Sequence, residues 1–96
     1  MKTTETLNVE DFKVCVALSN NEFDSHDFIK IYAGIYAAKY VAMLRLCGGD
    51  FTIVDRDMAN FLKSNAATLD IIRLSGDVES ENIIGNISPN ATWKKA

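Results

Sequence analysis

The stretch from Asp24 to Gly49, DSHDFIKIYAGIYAAKYVAMLRLCGG, limits the fold more than any other part of the chain, because it carries a helix start, a broad apolar surface and a helix stop. Asp24 and Ser25 can each accept a hydrogen bond from the free N–H groups of a first turn, and Asp27 adds negative charge at the positive end of the peptide dipoles. Phe28, Ile31, Tyr32, Ile35, Lys39, Ala42 and Leu46 recur at three- and four-residue steps, and Ile29, Tyr36, Tyr40, Met43 and Cys47 widen that stripe. Gly48 and Gly49 offer the left-handed positions at which helices end. The pattern predicts one helix, covered on more than one side. Ala33, Gly34, Ala37 and Ala38 form a small-residue waist, which predicts close approach by the preceding helix or by a partner subunit. Lys30, Lys39 and Arg45 keep each apolar run below the roughly 20 residues of a membrane span.

Upstream, residues 1–6 read as a flexible polar tail and residues 7–96 as one small helical domain. Asn8 followed by Asp11 marks a helix start, with Val9, Phe12, Cys15 and Val16 on one face. The alternation of Phe12, Val14, Val16 and Leu18 also fits a strand; the helix is preferred because no hairpin partner follows. Residues 19–23 make a connector, with Phe23 placed to pack on Phe28 or Ile29 as a hydrophobic staple.

Downstream, Asp50 or Thr52 starts another helix, with Val54, Met58, Phe61 and Leu62 inside and Asp55, Arg56, Asp57, Asn60 and Lys63 largely outside. Leu69, Ile71 and Ile72 predict a further short helix over 66–74, or a continuation of one helix from 53 to 74. Val78 to Ala96 carries Gly85, Pro89 and no helical stripe, which predicts an irregular docked arm or a short β-hairpin pinned by Ile83, Ile84, Ile87 and Trp93. The expected fold is mainly α: a compact three- to four-helix domain, all-helical apart from this arm, in an order that resembles a winged helix.

Charge and chemistry narrow the function. Ten Lys and Arg against thirteen Asp and Glu leave a formal charge of -3, which offers no global attraction to nucleic acid. Cys15 and Cys47 sit in apolar surroundings and read as reduced core thiols, and MKTTETLNVE lacks the apolar run of a secretory signal; both point to the cytoplasm. His26 is the single histidine, and on one helix it stands roughly 30 Å from Cys47, too far for a nucleophile and base. Asp50, Asp55 and Asp57 lack the spacing of a calcium loop, and no phosphate-binding glycine motif occurs. No catalytic residue, metal, cofactor, small molecule or membrane is predicted. In a helix-turn-helix reading, 66–74 would be the DNA-reading segment, yet it offers only Thr68, Asp70 and Arg73, near many acidic groups. Tyr32, Tyr36 and Tyr40 form a ladder that reads as core packing ahead of a recognition stripe.

FDSHDFI at 23–29, the tyrosine-rich helix, VDRDMANFLKSNA, and the late ESENIIGNIS with WKK resemble small uncharacterised proteins of Bacteroides-type gut bacteria, over about residues 20–95. The resemblance implies a bacterial cytoplasmic setting and carries no catalytic or binding role onto any residue. The expectation is a noncatalytic protein-interaction or accessory protein, working as a homodimer or with a protein partner. The second reading is a helix-turn-helix or winged-helix DNA-binding regulator.

Overall fold

A computed structural model describes residues 5–96, so residues 1–4 of the expected tail lie outside the described residues. Seven elements follow in order: α1 (Val9–Leu18), β1 (Glu22–Asp24), α2 (Ser25–Ile35), α3 (Ala37–Leu46), α4 (Phe51–Ser64), β2 (Ile71–Glu81) and β3 (Ile87–Lys95). The domain is therefore mainly helical but not all-α. α1, α2 and α4 each start at a capping side chain, whereas α3 has none. Asn8 accepts from the Asp11 N–H at 2.9 Å, Asp24 from Asp27 at 2.8 Å and Asp50 from Thr52 at 3.0 Å. At the other end of α1, the Lys95 ammonium donates to the Ser19 carbonyl at 2.7 Å, a cation against the negative end of the helix.

Phe12 is the centre of the core. Its ring lies 4.8 Å from Phe28, 5.6 Å from Tyr32 and 4.7 Å from Phe61, so one fully buried side chain joins α1, α2 and α4. Phe23 stacks on Phe28 at 6.0 Å, as the staple predicts. Val54, Met58 and Leu62 form the buried seam of α4. The helical reading of residues 9–18 holds, with Phe12, Cys15 and Val16 buried.

The stretch 24–49 is two helices, not one. Tyr36 leaves helical geometry at φ -111, ψ 45; its N–H still reaches the Tyr32 carbonyl at 2.7 Å, and its carbonyl takes the Tyr40 N–H at 3.0 Å. Gly34, two residues earlier, weakens the helix there. The bend lets Lys39 of α3 ion-pair with Asp11 of α1 while Tyr40 reaches Asp55 of α4. The tyrosine ladder serves the core, with Tyr32 and Tyr40 buried. The small-residue waist is not a close contact within the chain: Gly34, Ala37 and Ala38 are exposed, and a Cβ on Gly34 would meet nothing within 4 Å.

Residues 66–74 are not a helix either. The chain leaves α4 through a turn that closes with Leu69 N–H on the Asn65 carbonyl at 2.9 Å and Ile71 N–H on Ala66 at 3.0 Å. Asp70 takes a positive φ of 58, which stops helical propagation, and Ile71 and Ile72 then pair with Lys95 and Lys94. The arm is a true hairpin within a three-stranded antiparallel sheet of order β1-β3-β2. Its tip is an Asn82 turn, whose side chain accepts from the N–H groups of Ile84 and Asn86 at 3.1 and 3.0 Å, with Gly85 supplying φ 87. Between Arg73 and Asp77 the register slips around Gly76, and Arg73 closes the bulge on Asp77 at 2.7 Å.

An exposed helical glycine with open space beside it is a site for gain. Gly34→Ala should raise unfolding stability by about 0.5–1 kcal/mol, read from the urea midpoint at unchanged slope. A loss would mean that the waist is packed after all.

Candidate nucleic-acid interface

A cleft of about 360 Å³ opens where the start of α2, the outer side of α4 and the hairpin meet. Its floor is built by polar ties between residues far apart in sequence. The Trp93 indole donates to the Ser25 hydroxyl at 3.1 Å, and Trp93 itself is 2% exposed. The His26 N–H donates to the Asn90 side-chain oxygen at 2.8 Å, and the Asn90 amide donates to the Val78 carbonyl at 3.0 Å. His26 Nδ1 lies 3.1 Å from both the carbonyl and the hydroxyl of Ser80, and Nε2 lies 3.4 Å from the Ser88 hydroxyl. The first two residues of α2 are thus bolted to both long strands of the sheet. The histidine has a fixed structural role, and its ring nitrogens are occupied.

α4 supplies the wall. Thr52, Arg56, Asn60 and Lys63 are exposed and recur at four- and three-residue steps opposite the Val54, Met58, Leu62 seam. Arg56, Asn60 and Lys63 line the cleft, facing Arg73 and Asn90 of the strands. These groups are not equally available. Thr52 turns its hydroxyl to the cap carboxylate of Asp50. Arg73 is committed to Asp77 and lies 5.8 Å from the Trp93 ring centroid. Arg56 is 66% exposed, with a long 3.7 Å contact to Asp57 and an electrostatic pull on the Asp50 carboxylate, while Asn60 and Lys63 have no side-chain hydrogen bond or ion pair among the described residues. Asp55 is the acid of the cleft and is tied back by the Tyr40 hydroxyl at 2.8 Å.

The sequence placed Arg56, Asn60 and Lys63 outside the helix core but gave the reading role to 66–74. Of that segment's side chains, only Arg73 reaches the cleft. The overlooked signal was the spacing 56, 60, 63, one polar stripe on the helix immediately before the hairpin. Cys15 is buried, and burial beside the Asp11 charge pushes its thiol up to about 11, so it packs as an inert thiol. Among the described residues no group of three or more His, Cys, Asp or Glu is placed to hold a metal ion, and no helix is long and apolar enough to cross a membrane.

Burial raises the Asp55 carboxyl above its ordinary value, against the Tyr40 hydrogen bond and the nearby His26. The folded state therefore binds this proton more tightly than the unfolded chain. The cost of ionising Asp55 is absent below its unfolded value and is incurred as pH rises through the raised folded value. Asp55→Asn keeps an acceptor for Tyr40 and removes that cost. Its urea midpoint should exceed that of the parent chain near neutral pH, with the gap closing below about pH 4. A parent chain at least as stable as the variant at neutral pH would overturn this account.

No family model, curated protein or solved structure matches the chain.

Proposed function

We propose that this protein binds duplex DNA as a winged-helix domain, with α4 entering the major groove. The observation that carries the reading is the placement of the Arg56, Asn60, Lys63 stripe on the helix directly before a hairpin whose second strand returns beside β1. Helix, strand, helices, helix and hairpin is the winged-helix order, here with α3 as an additional helix. Arg, Asn and Lys are the side chains that reach base edges and phosphates, and an α-helix fits the major groove. The cleft between α4 and the sheet gives room for the backbone beside the groove. This reading places the protein in the bacterial cytoplasm with the chromosome.

The hairpin departs from the usual partner of a reading helix. From Leu74 to Trp93 it carries Asp77, Glu79 and Glu81 and no Lys or Arg. The pairing sets these acids opposite Ala91, Pro89 and Ile87, so alternation puts all three on one sheet face. That face repels phosphate, and binding falls to α4. With Arg56 and Lys63 as the uncommitted cations, each protomer releases few counterions, and log K should fall against log salt with a slope of about -2. Such weak single contacts favour two copies on neighbouring half-sites, the form in which self-association would serve the function.

A protein-interaction role is the second reading. Ile84 and Ile87, at the hairpin tip, are 56% and 61% exposed beside the acidic face, and apolar groups next to one sign of charge suit a basic protein partner.

Fluorescence anisotropy with a mixed-sequence duplex at low salt separates the two. Salt-sensitive binding is expected, lost in Arg56→Glu with Lys63→Glu and strengthened, with a steeper salt slope, in Glu79→Lys with Glu81→Lys. Absence of any duplex binding by the folded chain, or binding indifferent to the α4 pair, would reject the DNA reading.

A further inference from the structure

We infer that α4 reads sequence through two residues, with Arg56 specifying a guanine and Asn60 an adenine about two base steps away, and that Lys63 holds a phosphate without specifying a base. The inference rests on the DNA-binding reading above and goes on to name the bases it selects.

The assignment follows from which groups are free. On the outer stripe of α4, the Thr52 hydroxyl is turned to Asp50, and on the facing strand the Arg73 guanidinium is held by Asp77 over Trp93. Arg56 has the long Asp57 contact and the Asp50 charge nearby but no hydrogen bond that fixes its fork, and the Asn60 carboxamide is tied to no other side chain among the described residues. A free guanidinium fork matches the O6 and N7 acceptors of guanine, and a free carboxamide matches the N6 donor and N7 acceptor of adenine. Both pairings are bidentate, which is what gives discrimination. Lys63 presents a point charge on a flexible stem and suits a phosphate oxygen.

The spacing sets the motif. Arg56 and Asn60 are four residues apart, about 6 Å along the helix axis. Successive base pairs are about 3.4 Å apart, so the two side chains meet bases about two steps apart on a helix lying along the groove. The hairpin carries no Lys or Arg from Leu74 to Trp93, so sequence preference is not shared with the wing.

Binding-site selection from a random-sequence duplex pool, followed by anisotropy on the selected duplexes, tests the assignment with the full chain. The parent protein should enrich a guanine and an adenine at that separation, and replacing either base should weaken binding roughly 5- to 150-fold. Arg56→Ala should lose the preference at the guanine alone and Asn60→Ala at the adenine alone. Lys63→Ala should weaken all duplexes alike and lower the salt slope by about 1. Both readers are exposed and outside the core, so circular dichroism and the urea midpoint should be unchanged. Enrichment of a motif indifferent to Arg56→Ala and Asn60→Ala, or salt-sensitive binding with no enrichment, would overturn the base assignment while leaving DNA binding intact. Failure to bind any duplex at low salt would overturn both.

Discussion

Trp93 is the contact on which the arrangement of the domain depends. It lies on the central strand β3, opposite Phe23 of β1 and Arg73 of β2, and its indole N–H reaches the Ser25 hydroxyl at the first residue of α2. Its ring supplies apolar area to the sheet side of the core, and its one polar atom fixes the sheet against a helix end. Truncation of such a buried aromatic costs about 3–5 kcal/mol, a large share of what a domain of this size can hold in reserve. The same residue shapes the cleft, since Arg73 lies 5.8 Å from its ring centroid on the wall that faces α4.

Around that anchor the chain has one hydrophobic core and, beside it, a set of polar ties of different character. The helices share an aromatic cluster about Phe12, where fit is set by ring packing. Between α2 and the hairpin the contacts are polar and directional: His26 to Ser80 and Ser88, and the His26 N–H to Asn90. A packed aromatic cluster tolerates small shifts, whereas a set of linked hydrogen bonds demands one register of the hairpin. The register of the hairpin against α2 is therefore set by His26 and Asn90 together with the buried Trp93.

Features set by neighbouring residues could be read from sequence: the caps at Asn8, Asp24 and Asp50, the staple of Phe23 on Phe28, the seam of α4 and the glycine stop at 48–49. What escaped was set by distant partners. β1 has three residues, Glu22–Asp24, and is a strand only because Thr92, Trp93 and Lys94 lie beside it. Residues 71–74 keep a helical apolar spacing, but Asp70 turns left-handed and β3 offers a ladder, so tertiary pairing overrides the local pattern. The break at Tyr36 follows the same logic, since Lys39 and Tyr40 find Asp11 and Asp55 only after the bend. The candidate site was half legible. Arg56, Asn60 and Lys63 were recognisable as an outer face, but the role proposed for them depends on the hairpin being the element that follows α4.

A formal charge of -3 offers no global attraction to nucleic acid, so the DNA-binding reading proposed above rests on the groups around α4 and not on the total. At physiological salt, charges beyond about 8 Å are largely screened from one another, so a phosphate at α4 senses the groups of the cleft and not the sum over the chain. Lining the cleft, Arg56, Lys63 and Arg73 stand with Asp55, while Asp57 lies 3.7 Å from Arg56 and Asp77 lies 2.7 Å from Arg73, so each arginine has a carboxylate beside it. Glu79 and Glu81 lie further along the hairpin. On the DNA-binding reading proposed above, such a chain would gain little from nonspecific attraction and would take its affinity from the hydrogen-bond fit of a few side chains on α4.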